Sequence, residues 1–222
     1  MRRGIIIGLL VFCTGSGLVI FGDKFALSKP AAIQIERVDT PASGGGDRQP
    51  LNPFRDSISV ADSNFLASRR LVPPRTKSLL KVPAIMRHGD FVWNEQGVSK
   101  GHIKIWVDLR RQMISAFRNG HEIGSAVIVY GAQDHTSPEG RFRILNKQRY
   151  YHSRTYDAPM PASLFITNDG VALHGSPMSS RRASHGCIGL PVAFAEQLFD
   201  ASEVGDVVEI TRSQQDAREP LR

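Results

Sequence analysis

From His102 onward the hydrophobic positions fall on a period of two. Ile103, Ile105 and Val107 alternate with Lys104, Trp106 and Asp108, the pattern of a half-buried strand. Met113–Phe117 and Glu122–Val129 flank Asn119-Gly120, and Asn-Gly between apolar runs is a strong hairpin signal. Arg141–Leu145 reads as a further strand. Phe165-Ile166-Thr167 and Val171-Ala172-Leu173 flank a second tight turn, Asn168-Asp169-Gly170. Leu190, Phe194 and Leu198 recur every four residues around Pro191, which predicts a short helix. Asp206–Ile210 closes with one more strand. Many short strands with turns between them predict a mainly β fold, a sandwich or barrel with one or two short helices.

The front of the chain is patterned differently. Arg2 and Arg3 precede an uncharged stretch, Gly4–Phe21, of 18 residues. That is long enough to cross a bilayer, and the preceding positive charge predicts export of the rest of the chain. Residues 1–28 are therefore expected to be a membrane anchor or a signal peptide. Ala26-Leu27-Ser28 offers a cleavage-like site, while Asp23 and Lys24 interrupt it. The expected location is the periplasm or the extracytoplasmic face, with residues 4–21 touching the inner membrane. Asp39–Pro53 is rich in Pro, Gly and Ser, a composition that buries too little apolar surface to order itself. Asp62–Leu66 has the look of a helix start, but Pro73, Pro74 and Pro83 interrupt anything longer. The expected organisation is a flexible linker over 29–87, a folded domain over 88–212 and a polar tail over 213–222.

Composition narrows the function classes. The 222-residue chain carries 28 Lys+Arg and 21 Asp+Glu, a net charge of +7. Most of the excess precedes residue 100, since residues 100–222 hold 15 basic and 13 acidic side chains. A nucleic-acid footprint is not indicated. No Gly-rich phosphate loop links a strand to a helix, so nucleotide chemistry has no support. Two cysteines cannot build a disulfide scaffold.

If the chain is exported, Cys187 is the one cysteine outside, and a lone thiol in an oxidising compartment calls for a reason. Its neighbours supply one: Ser184-His185-Gly186-Cys187, with His174 after the Val171–Leu173 strand. An adjacent imidazole generates the thiolate that attacks a carbonyl. Gly186 lets backbone N–H groups approach an oxyanion. The plain alternative is a small buried cysteine with histidines that only hydrogen-bond, but Ser, His and Gly crowded in a turn do not read as a core strand. Zinc held by His174, His185 and Cys187 is the other alternative. It lacks a further residue to act as base, and no metal or organic cofactor is expected.

These residues resemble the L,D-transpeptidases, or YkuD-domain proteins, of bacterial cell walls. The resemblance covers about residues 88–212. It includes Ile103–Phe117, the turn Thr136-Ser137-Pro138-Glu139-Gly140, Tyr156-Asp157-Ala158-Pro159-Met160-Pro161, Leu173-His174-Gly175, Ser184-His185-Gly186-Cys187 and Val204–Val208. It implies a YkuD-like fold with Cys187 as nucleophile and His174 as base. It further implies that the Gly175 carbonyl orients the imidazole. His185, Gly186 and the Cys187 N–H would shape the oxyanion pocket, and Ser184 would fix the loop. Tyr156, Met160, Arg181 and Arg182 are the expected substrate contacts.

The implied partner is a peptidoglycan stem peptide. Cys187 would take its third residue as a thioester, release D-alanine, and pass the acyl group to an amine of a second stem. A hydrolase of the same scaffold, a carboxypeptidase or endopeptidase, would use water instead. A non-catalytic wall-binding module would have no use for an activated thiol. The chain departs from the family at Gly189, where Arg or Asn is common. Either an acceptor contact is missing there, or the turn after the nucleophile requires a glycine with positive φ.

Overall fold

The computed structural model describes residues 53–131, 136–178 and 186–214. In chain order these form β1 (Arg55–Ser57), α1 (Val60–Ser68), β2 (Ser78–Leu80), β3 (Phe91–Trp93), β4 (Ile103–Asp108), β5 (Met113–Arg118) and β6 (His121–Val127). Then come β7 (Val129–Tyr130), β8 (Gly140–Arg143), β9 (Asn146–Ser153), β10 (Ala158–Phe165), β11 (Ala172–Gly175), β12 (Ile188–Leu190), α2 (Val192–Ala201) and β13 (Val207–Thr211). One sheet runs β1-β2-β6-β5-β4-β13-β8, with β3 also paired to β6. The other runs β7-β12-β11-β10-β9. The expectation of a mainly β fold with one or two short helices is met, with two.

The apolar alternation explains how the sheets meet. Ile105, Val107 and Ile114 from the first sheet join Leu164, Leu173 and Ile188 from the second in one buried cluster. Phe194, Ala195 and Leu198 of α2 complete it, the face foreseen from their spacing, and the Phe194 ring meets Trp93 edge-on at 5.4 Å. Pro191 caps this helix rather than opening its first turn. Asn119 and Gly120 both have positive φ, 53° and 86°, as a two-residue turn between twisted strands requires.

The linker expected over 29–87 needs correction over its second half. Residues 55–80 form β1, α1 and β2 and extend the larger sheet through β6. The cause is polar docking rather than apolar periodicity. Arg55 is buried and donates to the carbonyls of Glu122 (2.7 Å) and Asn94 (2.7 Å). The buried Glu122 carboxylate accepts from the Leu80 N–H at 2.8 Å. Val72, Trp106 and Phe117, with Leu66, Leu71 and Leu79 against them, make a second apolar cluster. Ser59 caps α1, its hydroxyl accepting from the Asp62 N–H.

At the other end, Ser213 of the expected polar tail is buried, and its N–H donates to Asp108. The anchor or signal at 1–28, the linker over 29–52 and residues 215–222 lie outside the described residues. Among the described residues no helix is long and apolar enough to cross a membrane.

Candidate active site

The second sheet brings the two chemistry-bearing residues together: His174 lies on β11, and Cys187 immediately precedes β12. β11 and β12 are parallel, with Leu173 opposite Ile188, His174 opposite Gly189 and Gly175 opposite Leu190. Continuing that register back by one residue sets Cys187 beside Ala172. Side chains alternate along a strand, so positions 172 and 174 share a face with positions 187 and 189. The nucleophile and the imidazole therefore sit two positions apart along one strand pair.

His174 is buried, and its Nδ1 lies 2.9 Å from the carbonyl oxygen of Gly175. A carbonyl only accepts, so Nδ1 carries the hydrogen and Nε2 keeps its lone pair. The orienting role expected of Gly175 thus has its hydrogen bond. Burial pushes the His174 pKa below the ordinary imidazole value, and the Gly175 contact only partly opposes this. The ring is a neutral base at neutral pH. Gly175 itself leaves little room, since a Cβ there would lie 3.0 Å from the Pro161 ring and 3.4 Å from the Val192 Cα.

Cys187 is held differently. Its Sγ donates to the Gly170 carbonyl at 3.8 Å. Burial raises the thiol pKa, the Ala172 N–H opposes that rise, and the negative charge of Asp169 adds to it. The thiol therefore rests protonated. Desolvation outweighs the backbone donor here, so the thiolate forms only when the proton is taken up. Gly186 has φ of +96°, and a Cβ there would meet only the Thr136 carbonyl oxygen, at an ordinary 3.9 Å. Its requirement is conformational, and the turn before the nucleophile depends on it.

Gly189 answers the question that the sequence left open. Its φ is not positive, so the turn explanation falls. A Cβ at 189 would lie 2.6 Å from Val129 Cγ2 and 2.9 Å from Ser176 Cβ. Val129 and Ser176 fill the space beside His174 that a larger residue would take.

Several site residues were not singled out from the sequence. Ser137 is buried; its hydroxyl accepts from the Gly131 N–H at 3.0 Å and points at the Cys187 carbonyl, 3.5 Å away. It belongs to the Thr136–Gly140 turn, which stood out only as a motif. Asp169 sits in the foreseen Asn168–Gly170 turn, where only its turn chemistry was legible. Val129 and Ser176 carry no sequence signal. Of the expected substrate contacts, Met160 is buried in β10 next to Pro161, and Tyr156 is exposed in the connection between β9 and β10. Arg181, Arg182, Ser184 and His185 lie outside the described residues. Among the described residues no group of three or more His, Cys, Asp or Glu side chains could hold a metal ion.

Residues 102–210 match the family model of the YkuD L,D-transpeptidase catalytic domain. These residues belong to this family. The chain is 31% identical over 110 residues to L,D-transpeptidase 1 of Mycobacterium tuberculosis, a match covering 42% of this chain and 44% of that protein. The chain thus spans less than half the length of the curated relative it matches. Among solved structures, an L,D-transpeptidase from Stackebrandtia nassauensis is 23% identical, with a TM-score of 0.47 over 51% of this chain and 58% of that one. L,D-transpeptidase 1 of Mycobacterium tuberculosis is 26% identical, with a TM-score of 0.43 over 50% and 62%. The matched YkuD segment contains His174, Cys187 and Gly189 together. Residues 53–101, whose β2 and β3 pair with β6, precede it.

Proposed function

We propose that this YkuD domain transfers acyl groups between peptidoglycan stem peptides through a thioester on Cys187, forming L,D cross-links. The observation that carries the reading is the His174 Nδ1 hydrogen bond to Gly175, which leaves Nε2 free as a base on the strand beside the nucleophile. His174 takes the thiol proton as Cys187 attacks the carbonyl of the third stem residue. Neutral partners suit this order, because the thiolate is made when substrate is present rather than kept at rest. The imidazolium then protonates the departing D-alanine amine, leaving the thioester and a neutral His174.

An amine of a second stem attacks the thioester, the C–S bond breaks and the thiol is restored. The oxyanion is assigned to the Cys187 and Gly186 N–H groups, because the Gly186 backbone adopts a positive φ that glycine takes without strain. His185 is assigned to the same pocket and Ser184 to its loop, with Tyr156, Met160, Arg181 and Arg182 along the stem. The domain works outside the cytoplasmic membrane, tethered or exported through residues 4–21, and no metal enters the steps.

Incubation with a disaccharide-tetrapeptide tests the reading. The expected product is a dimer formed with loss of one D-alanine, absent with Cys187→Ala. Tripeptide alone would reassign the domain as a hydrolase, and turnover by Cys187→Ala would end the proposal.

A further inference from the structure

The thiol has a second neighbour besides β11: the turn that joins β10 to β11. Ile166 N–H donates to Val171 O at 2.9 Å, and Val171 N–H donates to the Thr167 hydroxyl at 2.9 Å. Gly170 closes the turn with φ of +101°. This fixes the Gly170 carbonyl against Cys187 Sγ at 3.8 Å and places Asp169, exposed, one residue away. Among the described residues Asp169 has no ion-pair partner, and it is the acid whose charge acts on the thiol.

A carboxylate in this place works against the first half of the reaction, because it disfavours a thiolate. In the second half that conflict disappears. The sulfur is then a neutral thioester, and the arriving nucleophile is an amine that is cationic in water. An unpaired carboxylate beside the acyl group raises the local concentration of such an amine.

We propose that Asp169 is the residue that recognises the acceptor, binding the ammonium group of the second stem at the mouth of the thioester. The assignment rests on the acyl-transfer reading. The bound ammonium gives one proton to neutral His174, and the freed amine attacks the thioester carbonyl. The C–N bond forms, the C–S bond breaks, and the amine's second proton goes to the leaving thiolate. His174 then returns its proton to solvent. Asp169 binds and orients; it exchanges no proton and makes no bond to carbon.

The test separates donor from acceptor in the full chain. Thioester formation is followed first, with donor tetrapeptide alone, in the wild type, Asp169→Asn and Asp169→Lys. Acceptors are then added: a stem with a free side-chain amine, or hydroxylamine, which is uncharged at neutral pH. KM for the cationic stem should rise roughly fivefold in Asp169→Asn, the scale of one exposed charge pair, and further in Asp169→Lys. The hydroxylamine reaction should be spared, and thioester formation should be no slower than in the wild type. Added salt should bring the wild-type KM toward that of Asp169→Asn.

Equal KM for the cationic stem in wild type and Asp169→Asn would overturn the proposal. So would an equal loss with hydroxylamine, or slowed thioester formation, which would place Asp169 on the donor. A wild type that forms no thioester would overturn the acyl-transfer reading before any acceptor is added, and the role of Asp169 with it.

Discussion

His174 lies on β11 and Cys187 at the bend that leads into the neighbouring β12, yet the protein holds them in opposite ways. The imidazole is fixed by its own strand: it is buried in β11, and the next residue's carbonyl sets its tautomer. The thiol is fixed from afar. Gly170 accepts its hydrogen, Ser137 lies under its carbonyl, and the glycine before it holds a left-handed backbone. A base that must present one lone pair gains from a rigid strand. A nucleophile that must meet substrate sits where turns distant in sequence converge, and each turn is a separate handle on its reactivity.

Substitutions at the two residues should separate these modes. Cys187→Ala should abolish every covalent step. His174→Gln should keep the fold and lower thioester formation by roughly 10³-fold, the scale of losing a positioned base. The wild-type rate should also report the base through pH. His174 must be neutral to act and its pKa is lowered, so the acid limb of kcat/KM should lie below the ordinary imidazole value of about 6.5. A limb above that value would mean that the ring is charged at rest.

Gly189→Arg comes next in size. Val129 and Ser176 already occupy the space, and overpacking of this kind costs about 1–3 kcal/mol. Thermal melting should fall by several degrees, with thioester formation slowed through the displaced β11–β12 pair. Normal stability with a higher ratio of dimer to tripeptide would restore the missing acceptor contact as the meaning of this glycine.

The smaller effects belong to the thiol end. Ser137→Ala removes the acceptor for the buried Gly131 N–H and should cost about 1–3 kcal/mol, with kcat falling more than KM rises. Ser137→Thr, which keeps the hydroxyl, should recover kcat; a variant that loses stability but keeps kcat would make Ser137 merely structural. At rest, burial and Asp169 raise the thiol pKa. Iodoacetamide should therefore alkylate Cys187 more slowly than free cysteine at pH 7, with a midpoint above the ordinary thiol value of about 8.5. Faster alkylation would mean a standing thiolate.

The legibility of the sequence divides along the same line. Period-two alternation revealed β4, whose Ile103, Ile105 and Val107 all enter the main cluster, and Asn119-Gly120 revealed the β5–β6 hairpin through its turn chemistry. The break between β6 and β7 was hidden: Ala126–Val129 is buried throughout, so no alternation marks where the chain changes sheets. β10 was hidden by Pro159 and Pro161. Both lie where β10 pairs with β9 alone, since β11 joins only from Leu164 onward, and their missing N–H groups cost no bond to β11.

Residues 55–80 read as linker because Arg55 and Glu122, together with apolar residues that follow no strand or helix period (Leu66, Leu71, Val72 and Leu79), bring them to the sheet. In the site, His174, Gly186 and Cys187 were legible as neighbours in a motif. Ser137 and Asp169 were not, since their relation to Cys187 exists only once three turns have met.

The central claim is a thioester on Cys187 made by a neutral base. Intact-mass analysis of the full chain, quenched early with disaccharide-tetrapeptide, tests it most directly. The account predicts an adduct equal to the donor less D-alanine, mapped to Cys187, discharged by hydroxylamine and greatly slowed in His174→Gln. An adduct on another residue, or turnover with no adduct that persists in Cys187→Ala, would contradict it.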